Sequence, residues 1–195
     1  MLCALLATER HNPESATLLW SLQSGESCDQ FGAQAARDTI PPMTTVHVRQ
    51  AVLPDLDDLA LLLNEFRDFQ GKASDLAGAR QFLLDRFNHG ESVVFVAHAA
   101  GVPAGFAQLY PSFSSTALAR VFILNDLYVR NAGRRRGVAS GLLTAIEEYA
   151  WTFGAVRVTL NVARTNTHGQ DLYEARGWQQ DQEHFMYHRF GPAPD

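Results

Sequence analysis

The residues best suited to do chemistry lie in one stretch, Tyr128-Val129-Arg130-Asn131-Ala132-Gly133-Arg134-Arg135-Arg136-Gly137-Val138-Ala139-Ser140-Gly141. Its arginines follow an apolar run and lead into a helical pattern, and no Asp or Glu lies between Asp126 and Glu147 to neutralise them. Gly137, Ala139 and Gly141 are small enough for backbone N–H groups to come close to a ligand. A helix N-terminus adds partial positive charge at the same place. The chemistry implied is the binding of a di- or triphosphate group on a cofactor. Arginine-rich stretches are also ordinary solvated surface, but the order strand, basic glycine-containing loop, helix favours a site. It is not a P-loop, because Gly137 is followed by Val138 rather than Lys. Nor is it a dinucleotide fingerprint, because Gly133, Gly137 and Gly141 are each four apart. The pattern Arg134-x-x-Gly137-x-Ala139 remains.

The elements that must position this loop read as α/β. Val46 to Arg49 alternates as a short strand. Pro54 with Asp55, Asp57 and Asp58 starts a helix, and Leu56, Leu59, Leu63 and Phe66 mark its apolar face. A second helix is expected over Asp75–Phe87. Strands are expected at Val93–Ala97, Pro103–Tyr110 and Arg120–Val129, with a turn at Ala99-Ala100-Gly101. Val138, Leu142, Ile146 and Tyr149 mark the next helix. Val156–Asn161 alternates again, Thr165–Ala175 is a helix stopped by Gly177, and Trp178–Phe190 reads as one or two further strands. The predicted order is β-α-α-β-β-β-α-β-α-β-β.

Residues 1–44 differ: rich in Ser, Gln, Asn and Asp, ending near Pro41-Pro42, with only Ala16 to Leu22 helical in pattern. They are expected to form a poorly ordered extension. Met43 opens the first periodic segment, which raises the reading that residues 1–42 are not part of the natural product; intact mass of protein from the native gene checks it. The expected organisation is thus an extension over 1–44, one domain over 45–190 and a tail over 191–195. The formal net charge of −5 argues against a nucleic-acid partner. No apolar run approaches the roughly 18 residues that span a bilayer, and the start lacks a basic leader, so a cytoplasmic location is expected. Cys3 and Cys28 both lie in the extension, and the histidines show no metal-ligand spacing, so no metal is expected.

Arg134, Gly137 and Ala139 stand where the GNAT superfamily of acetyl-CoA-dependent N-acetyltransferases carries Arg/Gln-x-x-Gly-x-Gly/Ala. Downstream, Leu172-Tyr173-Glu174-Ala175-Arg176-Gly177-Trp178 resembles that family's Leu-Tyr-x-x-x-Gly-Phe. The resemblance covers roughly Thr45 to Phe190. It implies a mixed, mostly antiparallel twisted sheet flanked by helices, with acetyl-CoA as co-substrate. It also implies that the backbone of Leu127, Tyr128 and Val129 pairs with the pantetheine arm. The pyrophosphate is then expected on Arg134, Arg135, Arg136, Gly137, Val138, Ala139 and Ser140, and Asn166 near the cofactor. Tyr173 matches the tyrosine that protonates the departing thiolate. A phenol near pKa 10 is suited to that, although periodicity alone also allows a core aromatic.

The implied reaction is direct attack of a primary amine on the thioester, which needs a proton acceptor. Asp126 is the candidate, a charge inside Leu124-Asn125-Asp126-Leu127-Tyr128-Val129, where burial without a partner is costly. The alternative is a pairing with Arg120, Arg130 or another structural partner. Gly105 to Ser115, together with Leu124 to Val129, is similar to a subgroup acting on polyamines, histone tails or D-amino acids. Asn125 replaces the Glu of the polyamine enzymes. Asp68 or Glu65 is placed to attract a cation, and Phe69 and Tyr110 to pack an alkyl stem, with Asn125 beside them; all are equally readable as helix-end and surface residues. The expected acceptor is a small-molecule amine. A non-catalytic acyl-CoA-binding module and a protein or peptide lysine acetyltransferase are the alternatives. A homodimer through the C-terminal strands is expected from the resemblance.

Overall fold

The computed structural model describes residues 45–192. The extension and its helical stretch lie outside them. Five strands form one sheet in the order β1-β2-β3-β4-β5: Val46–Gln50, Val93–Ala99, Val102–Ser114, Ala119–Val129 and Ala155–Leu160. The first three pairings are antiparallel and β4 with β5 is parallel. Helices α1 (Leu56–Phe69) and α2 (Leu76–His89) cover one face; α3 (Val138–Thr152) and α4 (Thr167–Ala175) cover the other. This is the mixed, mostly antiparallel α/β architecture expected.

Local chemistry sets the element ends. Pro54 and two acids in the first turn start α1. The Asp75 side chain caps α2 by accepting from the Gly78 N–H at 2.8 Å, and Gly90 ends that helix in the left-handed region. At Gly105 a side chain is excluded by its neighbour strand: a Cβ there would sit 2.5 Å from the Tyr128 carbonyl oxygen.

Each sheet face builds its own core. Leu59, Leu62, Phe66, Leu83, Phe106 and Tyr128 pack on the α1/α2 side. Phe122, Leu127, Val129, Leu142, Ile146 and Tyr173 pack on the α3/α4 side. β3 and β4 therefore read as nearly continuous buried runs, because both their faces are covered.

One expectation fails. Trp178–Phe190 forms no strand, and β5 has no neighbour on its outer side among the described residues. Phe185, Tyr187 and Phe190 are 82%, 86% and 80% exposed. Their residue types fit a strand, but β propensity expresses packing against a partner, and among the described residues this segment pairs with none.

Candidate active site

The site is built around the last five residues of β4. Parallel pairing with β5 stops at Leu124 with Leu160, so Asn125–Val129 are held by β3 on one side only. Gln108 pairs with Asp126 while Leu109 pairs with Leu124, which leaves Asn125 as an extra residue, a β-bulge. The bulge lets Leu124 and Leu127 both face the α3/α4 core, while Asp126 joins Tyr128 on the opposite face.

Asp126 is buried, and Asn125 Nδ2 donates to its Oδ2 at 3.0 Å. Burial pushes its carboxyl up to about 6, the Asn125 bond opposing it. Of the alternative partners, neither Arg120 nor Arg130 pairs with it, and the structural partner it does have is Asn125. Arg130 grips Glu65 with two bonds of 2.8 and 2.7 Å and donates to the Pro103 carbonyl at 2.7 Å. Arg120 lies over the Phe113 and Phe122 rings. Tyr110, half-buried, is raised to about 12, chiefly by burial and then by the Asp126 charge. A carboxyl that titrates near neutrality inside an apolar sheet is suited to accepting and releasing a proton.

Tyr173 lies beyond the other face. α4 buries it against α3, and its ring is 5.7 Å from that of Trp178. Trp178 Nε1 donates to Glu147 on α3 at 2.7 Å, and Arg176 holds the same carboxylate at 2.9 Å. The Gly177-Trp178 end of the motif thus ties α4 to the central helix. Asn166 is buried at the start of α4, where its Oδ1 accepts from the Gly169 N–H at 3.1 Å.

The loop after β4 makes one 3₁₀ turn at Asn131–Gly133. Arg135 and Gly137 then take left-handed conformations, at φ of 56° and 81°. The first intrahelical bond of α3 runs from Gly141 N to Gly137 O at 2.8 Å, so the N–H groups of Val138, Ala139 and Ser140 belong to the uncommitted first turn. Alternating hands of this kind turn successive N–H groups into a concave, anion-accepting surface. Arg135 and Arg136 are exposed around it, and Val138 is anchored in the core.

The acceptor-side candidates separate into two groups. Tyr110 and Asn125 neighbour Asp126. Asp68 and Phe69 instead line a cavity of about 380 Å³ with Tyr128, Asn131 and Arg134. Arg134 lies over the Phe69 ring at 5.6 Å and donates to the Val129 carbonyl at 3.2 Å. Glu65 borders this cavity, but Arg130 neutralises it.

Sequence reasoning missed Gln108. It is fully buried on the face of Phe106 and Asp126, its Nε2 donates to Ser92 Oγ at 2.8 Å, and its Oε1 has no partner among the described residues. The signal was present: a lone amide in the apolar run Gly105–Leu109, two residues from Phe106.

Leu127, Tyr128 and Val129 bury their side chains; the Tyr128 backbone is turned to Phe106 of β3, while Leu127 and Val129 turn their backbone groups to the β5 side, where Arg134 takes the Val129 carbonyl. An elongated group with amides along its length and a polyanion at one end fits this arrangement. The amides meet an unpaired strand edge, and the polyanion meets the loop and first turn of α3. A slot of that kind, inside this order of elements, defines an acetyltransferase that takes its acyl group from coenzyme A.

The model of the acetyltransferase (GNAT) family matches residues 59–178. The chain belongs to that family and is an acetyl-CoA-dependent N-acetyltransferase. It is 41% identical over 136 residues to YhfO of Bacillus subtilis (strain 168), an uncharacterised N-acetyltransferase, covering 70% of this chain and 91% of that protein. It is 28% identical to the thialysine N-epsilon-acetyltransferase of Bos taurus, covering 76% and 92%. A crystal structure of a probable acetyltransferase superposes with a TM-score of 0.70 at 39% identity, over 76% of this chain and 99% of that one. No helix among the described residues is long and apolar enough to cross a membrane.

Proposed function

We propose that the protein acetylates a primary amine on a small molecule by direct attack, with Asp126 receiving the amine's proton and Tyr173 donating one to the departing thiolate. The observation that carries this reading is the unpaired length of β4, with a buried, near-neutral carboxyl on one face and the buried phenol of α4 beyond the other. Acetyl-CoA supplies an activated acetyl thioester. Backbone groups of Leu127 and Val129, held in place by the pairing of Tyr128 with β3, align its arm, and the first turn of α3, with Arg134, Arg135, Arg136, Gly137, Val138, Ala139 and Ser140, holds its phosphates. Asn166 keeps the start of α4, and hence Tyr173, in place beside it.

An amine near pKa 10 arrives protonated, so the chain must remove a proton before attack. Asp126 does so in its ionised form, directly or through water. The half-exposed side chains of Tyr110 and Ile123, beyond the cover of α1 and α2, mark the acceptor's entrance. Asp68 and Phe69 attract and pack its far end. A relative at 28% identity is named for thialysine, and a plant protein 33% identical over 78 residues, 34% of its own length, is named for L-ornithine. Both names describe amino acids with a second amine, so such compounds head the acceptor panel. Thiol release from acetyl-CoA against diamino acids, polyamines, aminoglycosides and lysine peptides tests the reading. Faster turnover with peptides than with any free amine would refute it.

The same reading extends to a homodimer, supported by the exposed Phe185, Met186, Tyr187 and Phe190 and by the outer edge of β5, unpaired among the described residues. Sedimentation equilibrium showing a monomer at micromolar concentration would sink it.

A further inference from the structure

We infer that Gln108 is a positioning residue for proton transfer, its amide oxygen receiving the O–H of Asp126 whenever that carboxyl carries the proton. The inference rests on the reading of Asp126 as proton acceptor.

Four observations lead to it. Gln108 and Asp126 are direct partners across β3 and β4, a relation that sets their Cβ atoms about 4.5–5.5 Å apart. Both continue the alternation of Phe106 and Tyr128, so their side chains share the α1/α2 face. Gln108 is fully buried, where an unsatisfied polar atom costs free energy, yet its Oε1 has no partner among the described residues. Finally, Ser92 Oγ accepts from Nε2 at 2.8 Å, which engages the donor end of the amide.

The chemistry follows from what each state of Asp126 offers. The carboxylate only accepts, and Asn125 Nδ2 already supplies a donor. The protonated acid gains one O–H and must place it inside an apolar sheet. An acceptor that cannot itself take a proton gives the hydrogen a place to rest without consuming it. No bond of Gln108 is made or broken: the proton leaves the amine, rides on Asp126, and returns to solvent once product departs.

The charged groups along this face sit against its two tyrosines: Arg86, paired with Glu91, acts on Tyr110, and Arg130, paired with Glu65, acts on Tyr128, itself raised chiefly by burial. Tyr110, from β3, stays a neutral phenol. These groups are unchanged in the variants below and leave Gln108 as the variable.

The sign of the effect tests the inference. A hydrogen bond to the neutral acid favours it over the carboxylate and raises the carboxyl's pKa. Gln108→Met keeps the length and removes the acceptor, so the acid limb of kcat/KM moves to lower pH by about half a unit. That is about a threefold gain in kcat/KM below the midpoint, because a tenfold change corresponds to one unit. KM for acetyl-CoA stays unchanged, and Gln108→Asn, one methylene shorter, shifts the limb in the same direction. A second readout needs no turnover: carboxyl carbon shifts of aspartate-labelled protein, with the Asp126 resonance assigned by its loss in Asp126→Asn, titrate at lower pH in Gln108→Met. An unmoved carboxyl titration overturns the inference. An upward shift overturns it too, since it would mean that the amide nitrogen faces the carboxylate. A limb that survives in Asp126→Asn would refute Asp126 as base, while the carbon titration still judges Gln108.

Discussion

Asp126 is held at a cost to stability that can be measured apart from catalysis. Its carboxyl is moved from 3.8 to about 6, chiefly by burial. Two units at 1.36 kcal/mol each make the ionised form about 3 kcal/mol less favourable in the folded chain than in the unfolded one. The folded pKa is raised, so the folded state holds the proton more tightly. Stability is therefore full below about pH 4 and falls as pH rises towards 6. Asp126→Asn keeps the size and removes the charge. At pH 8 it should be more stable than the natural sequence by about 2–3 kcal/mol, allowing for the altered contact with Asn125. In a domain of this size that is a Tm gain of roughly 5–10 °C. The same substitution should lower kcat by about 10²- to 10⁴-fold, the usual contribution of a positioned acid or base. Urea unfolding at pH 8, 6 and 4 gives the stability difference at each pH; an unchanged slope confirms that the same unfolding is compared. The reasoning is refuted if the variant is no more stable at pH 8, or if its advantage does not shrink on acidification.

Several further outcomes are expected. Tyr173→Phe should reduce kcat by about 10²-fold or more while leaving the Kd of coenzyme A within about twofold by calorimetry; unchanged turnover removes Tyr173 as the acid. Coenzyme A affinity should fall as salt rises, because Arg135 and Arg136 are exposed and act through solvent; a flat salt response leaves the backbone N–H groups alone to hold the phosphates. Gly105→Ala should cost about 1–3 kcal/mol in chemical unfolding, since its Cβ falls 2.5 Å from the Tyr128 carbonyl oxygen. In the natural sequence kcat/KM should rise with pH through about 6, as Asp126 becomes the carboxylate that accepts a proton.

Much of the fold was legible because its signals are local. The Pro54 start, the helical spacing of Val138, Leu142 and Ile146, and the basic loop each lie within a turn or two of sequence. Asp126 stood out for the same reason, as a charge within an apolar run. What escaped depends on pairing across distance. The bulge at Asn125 exists only in the register of β4 against β3. Glu65 was read as a group for cations, but Arg130, 65 residues away, claims it. Gln108 acquires meaning only once Asp126 is seen opposite. The C-terminal segment misled in the other direction: its residue types suit a strand, yet it pairs with no strand among the described residues.

The parting of β4 from β5 also bears on how the chain avoids its own kind. An unpaired strand edge invites other extended chains to add to it and aggregate. Here the backbone groups that Asn125–Val129 turn away from β3 face the gap left where β5 stops rather than the rim of the sheet. By strand geometry that length is about 16 Å, and it ends where β4 and β5 rejoin at Leu124. A flexible single-file molecule can slide in, while a second protein strand, with side chains on both faces, meets the flanking helices. The ligand then completes the sheet as a missing strand would, so loading should slow hydrogen exchange at those amides and add to the cooperativity of unfolding.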